Sequence, residues 1–258
     1  MTSERFGIRG LPLVDLYYRS IGTFLLAYAA RLSKGELFLE TPSPWSLATP
    51  LKVRLHVPGS PAMELAGTVA WTRPTAIGPG QPPGMGINLI SSIDMFGERI
   101  DHLAARYARL KILVCTADLA GRAVLGRYLQ SLLACDLVDW DSPDPGGGRG
   151  RPFGELKVDL AVVDLDAPGG RTASESVAAF VQELRASQDP PQPAHTTAAG
   201  RGGNERRLPI LLLAGSERSR ARAGLLEVDD VLPNPPALPE LESAVMHALS
   251  RPGHWASS

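Results

Sequence analysis

The sequence predicts two folds in series, a small all-β unit followed by a doubly wound α/β unit. Three observations carry this expectation. Residues 11–90 are short apolar runs broken by proline and glycine clusters. From residue 111 onward, apolar runs of strand length alternate with longer helical patterns. The chain has 258 residues, which fits two domains of about 100–130 residues each.

In the first unit, the runs at 24–28, 37–39, 51–57, 63–71 and 86–90 read as strands, separated by turn-forming clusters such as Thr41-Pro42-Ser43-Pro44 and Pro58-Gly59-Ser60-Pro61. Val53, Leu55 and Val57 alternate with Arg54 and His56, the period of a strand with one buried face. Several short strands at this spacing predict a small sandwich or barrel. Over 92–110 the period becomes helical: Ile93, Phe96, Ile100, Leu103, Ala104 and Tyr107 lie on one face, and Asp94, Glu98, Arg99 and Arg106 on the other. This helix ends the first domain, at about residues 1–108.

The second domain, 109–258, begins with Lys111-Ile112-Leu113-Val114-Cys115, a run suited to a buried parallel strand. Further strands are expected at 137–140, 160–165, 210–214 and 228–232, and helices at 119–134, 172–186, 217–226 and 238–250. Strands alternating with helices predict a parallel sheet covered on both faces. Two proline- and glycine-rich stretches, 142–154 and 187–203, read as loops.

Composition narrows the function. A net charge of −1 gives no long-range field to draw nucleic acid or an acidic membrane surface. No apolar run approaches the roughly 18 residues of a membrane span. The opening segment has no apolar stretch of the secretory kind. Cys115 and Cys135 are too few for a disulfide framework and read as reduced core residues of a cytoplasmic protein. The five histidines have no metal-ligand spacing, and no nucleophile elbow, phosphate-binding loop or zinc-protease motif is present. No catalytic residue, metal or cofactor is expected.

Several motifs of the first unit occur in a familiar order. Arg5-Phe6-Gly7-Ile8-Arg9 has the form RxxxR. It is followed by Tyr18, by Arg31-Leu32-Ser33-Lys34-Gly35-Glu36, by Trp71-Thr72-Arg73-Pro74 and by Pro83-Gly84-Met85-Gly86-Ile87. Over roughly 5–105 this resembles a PilZ domain, a six-stranded β-barrel whose best-known members bind cyclic di-GMP. The resemblance implies that Arg5 and Arg9 grip the ligand, since guanidinium forks match phosphate oxygens and the guanine edge. It implies a second motif, Asp/Asn-x-Ser-x-x-Gly, in which Arg31 replaces the acid or amide, Ser33 is kept and Glu36 replaces the glycine. The implied ligand set is Arg5, Arg9, Arg31 and Ser33. Against it stands the reading of Arg5 and Arg9 as solvated charges, with Glu36 repelling an anion and pairing with Arg31 on the surface. Trp71 is expected in the core.

The second unit resembles a response-regulator receiver over about 110–250. Asp159-Leu160-Ala161-Val162-Val163-Asp164 matches the strand that ends in the phosphoacceptor, so Asp164 is the phosphoacceptor equivalent. Thr116 and Ala117 stand where the metal-holding acids belong, with Asp118 a possible remnant. Ala214 takes the hydroxyl position, with Ser216 nearby but expected out of register. Asn234 takes the lysine position. Aspartyl phosphorylation needs the metal and cation to stabilise phosphoryl charge, so Asp164 is expected to be inactive. The expected function is that of a non-catalytic bacterial signalling protein, meeting other signalling or motility proteins in cyclic-di-GMP-related control. The alternative is a cyclic di-GMP-binding effector, and a phosphorylatable regulator comes third.

Overall fold

Val14, Leu16 and Tyr18 are buried, while Leu13, Asp15 and Tyr17 between them are half-buried. That alternation makes β1 (Leu13–Tyr17) the first of eleven strands in the structure, a computed structural model that describes residues 10–77, 82–90, 93–116, 118–139, 157–166, 173–188, 208–226, 228–252 and 254–257. There follow α1 (Ile21–Ala30), a 3-10 turn (Leu32–Lys34), β2 (Glu36–Glu40), β3 (Pro50–His56), β4 (Met63–Arg73) and β5 (Gly84–Leu89). A second 3-10 turn (Ile93–Phe96) then leads into α2 (Gly97–Ala105). The second half runs β6 (Leu110–Cys115), α3 (Leu119–Leu132), β7 (Cys135–Asp139), β8 (Leu160–Asp164), α4 (Ala173–Gln188), β9 (Ile210–Ala214), α5 (Glu217–Ala223), β10 (Asp230–Pro233), α6 (Leu238–Ser250) and β11 (His254–Ser257). Arg5, Arg9, Ala117 and the stretch 142–154 lie outside the described residues, as does 187–203 beyond the end of α4.

The strands of the second half form a parallel sheet in the order β10-β9-β8-β6-β7. Numbered within that half, this is the 2-1-3-4-5 order of the flavodoxin-like doubly wound fold. Alternate residues of β6 face opposite cores. Ile112 and Val114 pack with Leu125 and Leu129 of α3 and with Leu241 and Val245 of α6. Leu113 packs with Leu184 of α4 and Ala223 of α5. The expected α/β class and its receiver-like sheet are therefore present.

The first half departs from expectation in three places. Residues 24–28, expected as a strand, belong to α1. Ser20 Oγ accepts the Thr23 N–H at 3.2 Å and Thr23 Oγ1 accepts the Ser20 N–H at 3.1 Å, a reciprocal cap that starts a helix. The buried Thr23, Phe24 and Ala27 then recur at helical spacing. With that strand lost, the described residues of 1–108 do not form the expected six-stranded barrel by themselves. The sheet runs β11-β1-β3-β4-β5-β2, five strands from the first half and a sixth from beyond α6, with no pairing between its two edge strands among the described residues. The third departure is Trp71, which is 43% exposed. A bulge between Val69 and Trp71 reverses which residues of β4 face inward, so Val69 opposes Ile87 but Trp71 opposes Gly86. The indole lies outside, stacked on Phe38 at 5.3 Å with Arg73 over both rings. A Cβ at Gly86 would lie 2.0 Å from the Trp71 Nε1.

The two halves share packing. Leu26 of α1 and Tyr107 lie against the core of the parallel sheet, and α1 contacts α6. Gly22 makes this possible, because a Cβ there would stand 2.6 Å from Leu110 Cδ2 and 2.8 Å from the Tyr107 ring. Gly22→Val is therefore expected to lower stability by about 1–3 kcal/mol through overpacking. Gly97→Ala, where an added Cβ meets nothing within 4 Å, is expected to stay within about 1 kcal/mol of the parent. Denaturant midpoints of the two variants check this.

Candidate functional site

In a doubly wound sheet, ligands sit outside the carboxyl ends of the strands at the point where strand order reverses. Here that point lies between β6 and β8. Thr116, just past β6, donates its hydroxyl to Asp164 Oδ2 at 2.8 Å across this crevice. Asp164 Oδ1 accepts from Asn234 Nδ2 at 3.0 Å and from the Asp166 N–H at 2.9 Å. Both carboxylate oxygens are thus met by neutral donors, and among the described residues no lysine or arginine pairs with Asp164.

The neighbouring acids are engaged elsewhere. Asp118 caps α3, accepting the Ala120 N–H at 3.0 Å, while its own N–H donates to Thr116 Oγ1 at 3.2 Å. Asp166 accepts from the Gly215 N–H, from Ser219 Oγ at 3.0 Å and from Ser216 Oγ at 3.3 Å. Burial alone would raise the Asp166 pKa, but these donors outweigh it and hold the carboxyl below its ordinary value. Among the described residues no group of three or more histidines, cysteines or acids is placed to hold a metal ion.

The structure thus brings Thr116, Asp164 and Asn234 together, as the resemblance implied. Ser216 lies near the cluster but out of register with Asp164, as expected, and donates to Asp166 instead. Ala214 is buried in β9. Asp166 and Ser219 were missed by sequence reasoning. The available signal was Ser216-x-x-Ser219, the spacing of a helix cap, which here forms on both sides.

The second candidate region is the turn between α1 and β2. Arg31 ends α1 with its N–H on the Ala27 carbonyl at 3.0 Å, and Gly35 closes the turn at φ +74°. The left-handed backbone there suits glycine. Arg31 and Ser33 are exposed, and their side chains have no hydrogen-bond or ionic partner among the described residues. The expected Arg31–Glu36 ion pair is not formed. The two residues are tied instead by the Glu36 N–H on the Arg31 carbonyl at 3.2 Å, which leaves both side chains in solvent.

Arg31 and Glu36 border a recess with Tyr18, Phe38, His247 and Arg251. The buried Tyr18 hydroxyl has no partner among the described residues, and burial pushes its pKa up. Burial, with Arg251 and Arg31 nearby, lowers the His247 pKa to about 4. His247 Nε2 stands 3.9 Å from Glu40 Oε1. Arg251 donates to Glu40 and, at 2.6 Å, to Asp229. Among the described residues no helix is long and apolar enough to cross a membrane.

No family model and no curated protein matches the chain. Solved structures do. The signal receiver domain of a modulated diguanylate cyclase from Desulfovibrio desulfuricans is 19% identical with a TM-score of 0.38, covering 55% of this chain and 94% of its own. The receiver domain of a sensor histidine kinase from Pseudomonas aeruginosa, with a magnesium ion in its active-site cleft, is 16% identical with a TM-score of 0.38, covering 55% and 98%. Chemotaxis protein CheY4 from Vibrio cholerae is 14% identical with a TM-score of 0.37, covering 55% and 99%.

Two measurements test this geometry. Thr116→Val leaves Asp164 Oδ2 short of a donor and is expected to cost about 1–3 kcal/mol in chemical denaturation. For His247 the folded pKa of about 4 lies below the ordinary value of 6.5. The unfolded chain therefore binds more protons in between, and stability falls as pH drops from about 6.5 towards 4. Replacing His247 with asparagine is expected to flatten the thermal midpoint against pH between about 6.5 and 5.

Proposed function

We propose that this chain is a non-catalytic bacterial signalling protein of the PilZ family, cytoplasmic, acting through contacts with other signalling or motility proteins in cyclic-di-GMP-related control. The observation that carries the reading is the hydrogen bonding of Asp164. A phosphoacceptor needs free carboxylate oxygen, a bound metal and a cation to receive charge. Asp164 instead has both oxygens taken by Thr116, Asn234 and a backbone amide. Such a cluster stabilises a scaffold and leaves the outer surfaces for partners.

The PilZ assignment for the first half draws on its sequence motifs. The pairing of β4 with β5 is compatible with it, since it sets Trp71, Thr72 and Arg73 beside Gly86, Met85 and Gly84 and so joins two of those motifs. A second reading, a cyclic di-GMP effector using Arg5, Arg9, Arg31 and Ser33, is favoured by the exposure of Arg31 and Ser33, whose side chains have no partner among the described residues. Opposing it is Glu36, whose exposed carboxylate has no ionic partner among the described residues and would repel a doubly negative ligand.

Calorimetric titration with cyclic di-GMP is expected to give no saturable heat. Tight binding that disappears in Arg9→Ala would establish the effector reading instead. Incubation with a small phosphodonor and Mg²⁺ is expected to leave the protein unmodified. Incorporation lost in Asp164→Asn would overturn the non-catalytic reading.

A further inference from the structure

We propose that the segment after α6 is a strap over the edge of β1, buckled at Arg251, which opens without unfolding either half of the chain. β11 runs antiparallel to β1, with Val14 opposite Ser257, Asp15 opposite Ala256, Leu16 opposite Trp255 and Tyr17 opposite His254. It is a four-residue edge strand and, among the described residues, pairs with no other strand. On its other side β1 is held by β3 over five register positions, from Leu13–Lys52 to Tyr17–His56. Val14 and Leu16 are fully buried in the core beneath. Removing β11 therefore leaves β1 anchored on one edge and one face.

The buckle is ionic. The Arg251 guanidinium is shared between Glu40, at the end of β2, and Asp229, just before β10. Asp229 is itself fixed, its other oxygen accepting the Ile210 N–H at 2.7 Å. One cation thus ties the edges of both sheets to the start of the strap. All three side chains are only about a fifth exposed, so solvent screens the contact weakly. Among the described residues, the other charged or titratable groups near this point include Tyr18 just after β1, Arg31 from the end of α1, Glu36 on β2, Asp230 at the start of β10 and His247 on α6. Without Arg251 the two carboxylates lose the cation they share, while the backbone pairing of β11 with β1 remains. Opening bares a row of backbone donors and acceptors on β1, the kind of edge that takes up an extended segment of another chain.

Backbone alternation makes the test specific. The Tyr18 N–H bonds the His56 carbonyl and the Pro12 carbonyl accepts the Lys52 N–H, so even-numbered residues of β1 bond β3. The amides of Asp15 and Tyr17 face β11. Amide exchange is measured on the full chain, on Arg251→Gln and on Ala256→Pro, which removes a donor from the strap. Both variants are expected to unfold cooperatively like the parent and to exchange faster by about tenfold or more at Asp15 and Tyr17. Val14, Leu16 and Ile112 should keep their protection. Unchanged exchange at Asp15 and Tyr17 in Ala256→Pro overturns the strap, and unchanged exchange in Arg251→Gln overturns the buckle. Loss of protection spreading through β3 and β4, or failure to fold, makes β11 an integral strand and also overturns the proposal.

Discussion

The close approach of α1 to the first strand of the parallel sheet is the constraint from which the rest of the arrangement follows. Because position 22 carries no side chain, the helix settles against Leu110 and Tyr107 and brings Leu26 into the core of the other half. This fixes where α1 ends. Arg31 arrives beside the last turn of α6, and β2 starts alongside His247 and Arg251. The recess, the shared Arg251 and the path of the chain back to β1 are all consequences of that one contact. Two folds that look like independent modules in the sequence thus meet through an apolar joint with an ionic edge.

The carboxyl end of the parallel sheet follows a different logic. A carboxylate at a topological switch point is costly to leave bare, and there are two ways to satisfy it. One is a metal and a lysine, which keeps the site reactive. The other is a set of neutral donors from the protein itself, which closes it. Thr116 and Asn234 take the second course for Asp164, and Ser216, Ser219 and Gly215 do the same for Asp166. The loops that carry these donors, after β6, β9 and β10, are thereby stitched to the loop after β8.

The sequence revealed the second half well because each of its buried parallel strands is a short apolar run that needs no long-range information to recognise. The first half was less readable, for specific reasons. Residues 24–28 are as apolar as a strand, and the deciding signal was a polar pair outside the run, Ser20 and Thr23. β11 is four residues long behind Pro252-Gly253, and nothing local in it says that it belongs to a sheet begun some 240 residues earlier. Thr116, Asp164 and Asn234 were found by matching strand ends. Asp166 was not, because its partners become neighbours only when β8 and β9 lie side by side.

The bulge in β4 has a consequence for how this surface can change over time. Face assignment along a strand depends on counting residues, so the extra residue between Val69 and Trp71 acts on everything after it. Removing Ala70, the extra residue, would restore plain alternation and leave Trp71 outside, opposite Gly86. Straightening the strand with that residue kept would instead turn Trp71 and Arg73 inward and strip the outer face of its stacked rings and cation without any substitution. In this part of the protein, the outer surface chemistry depends on one local irregularity of the backbone as much as on residue type.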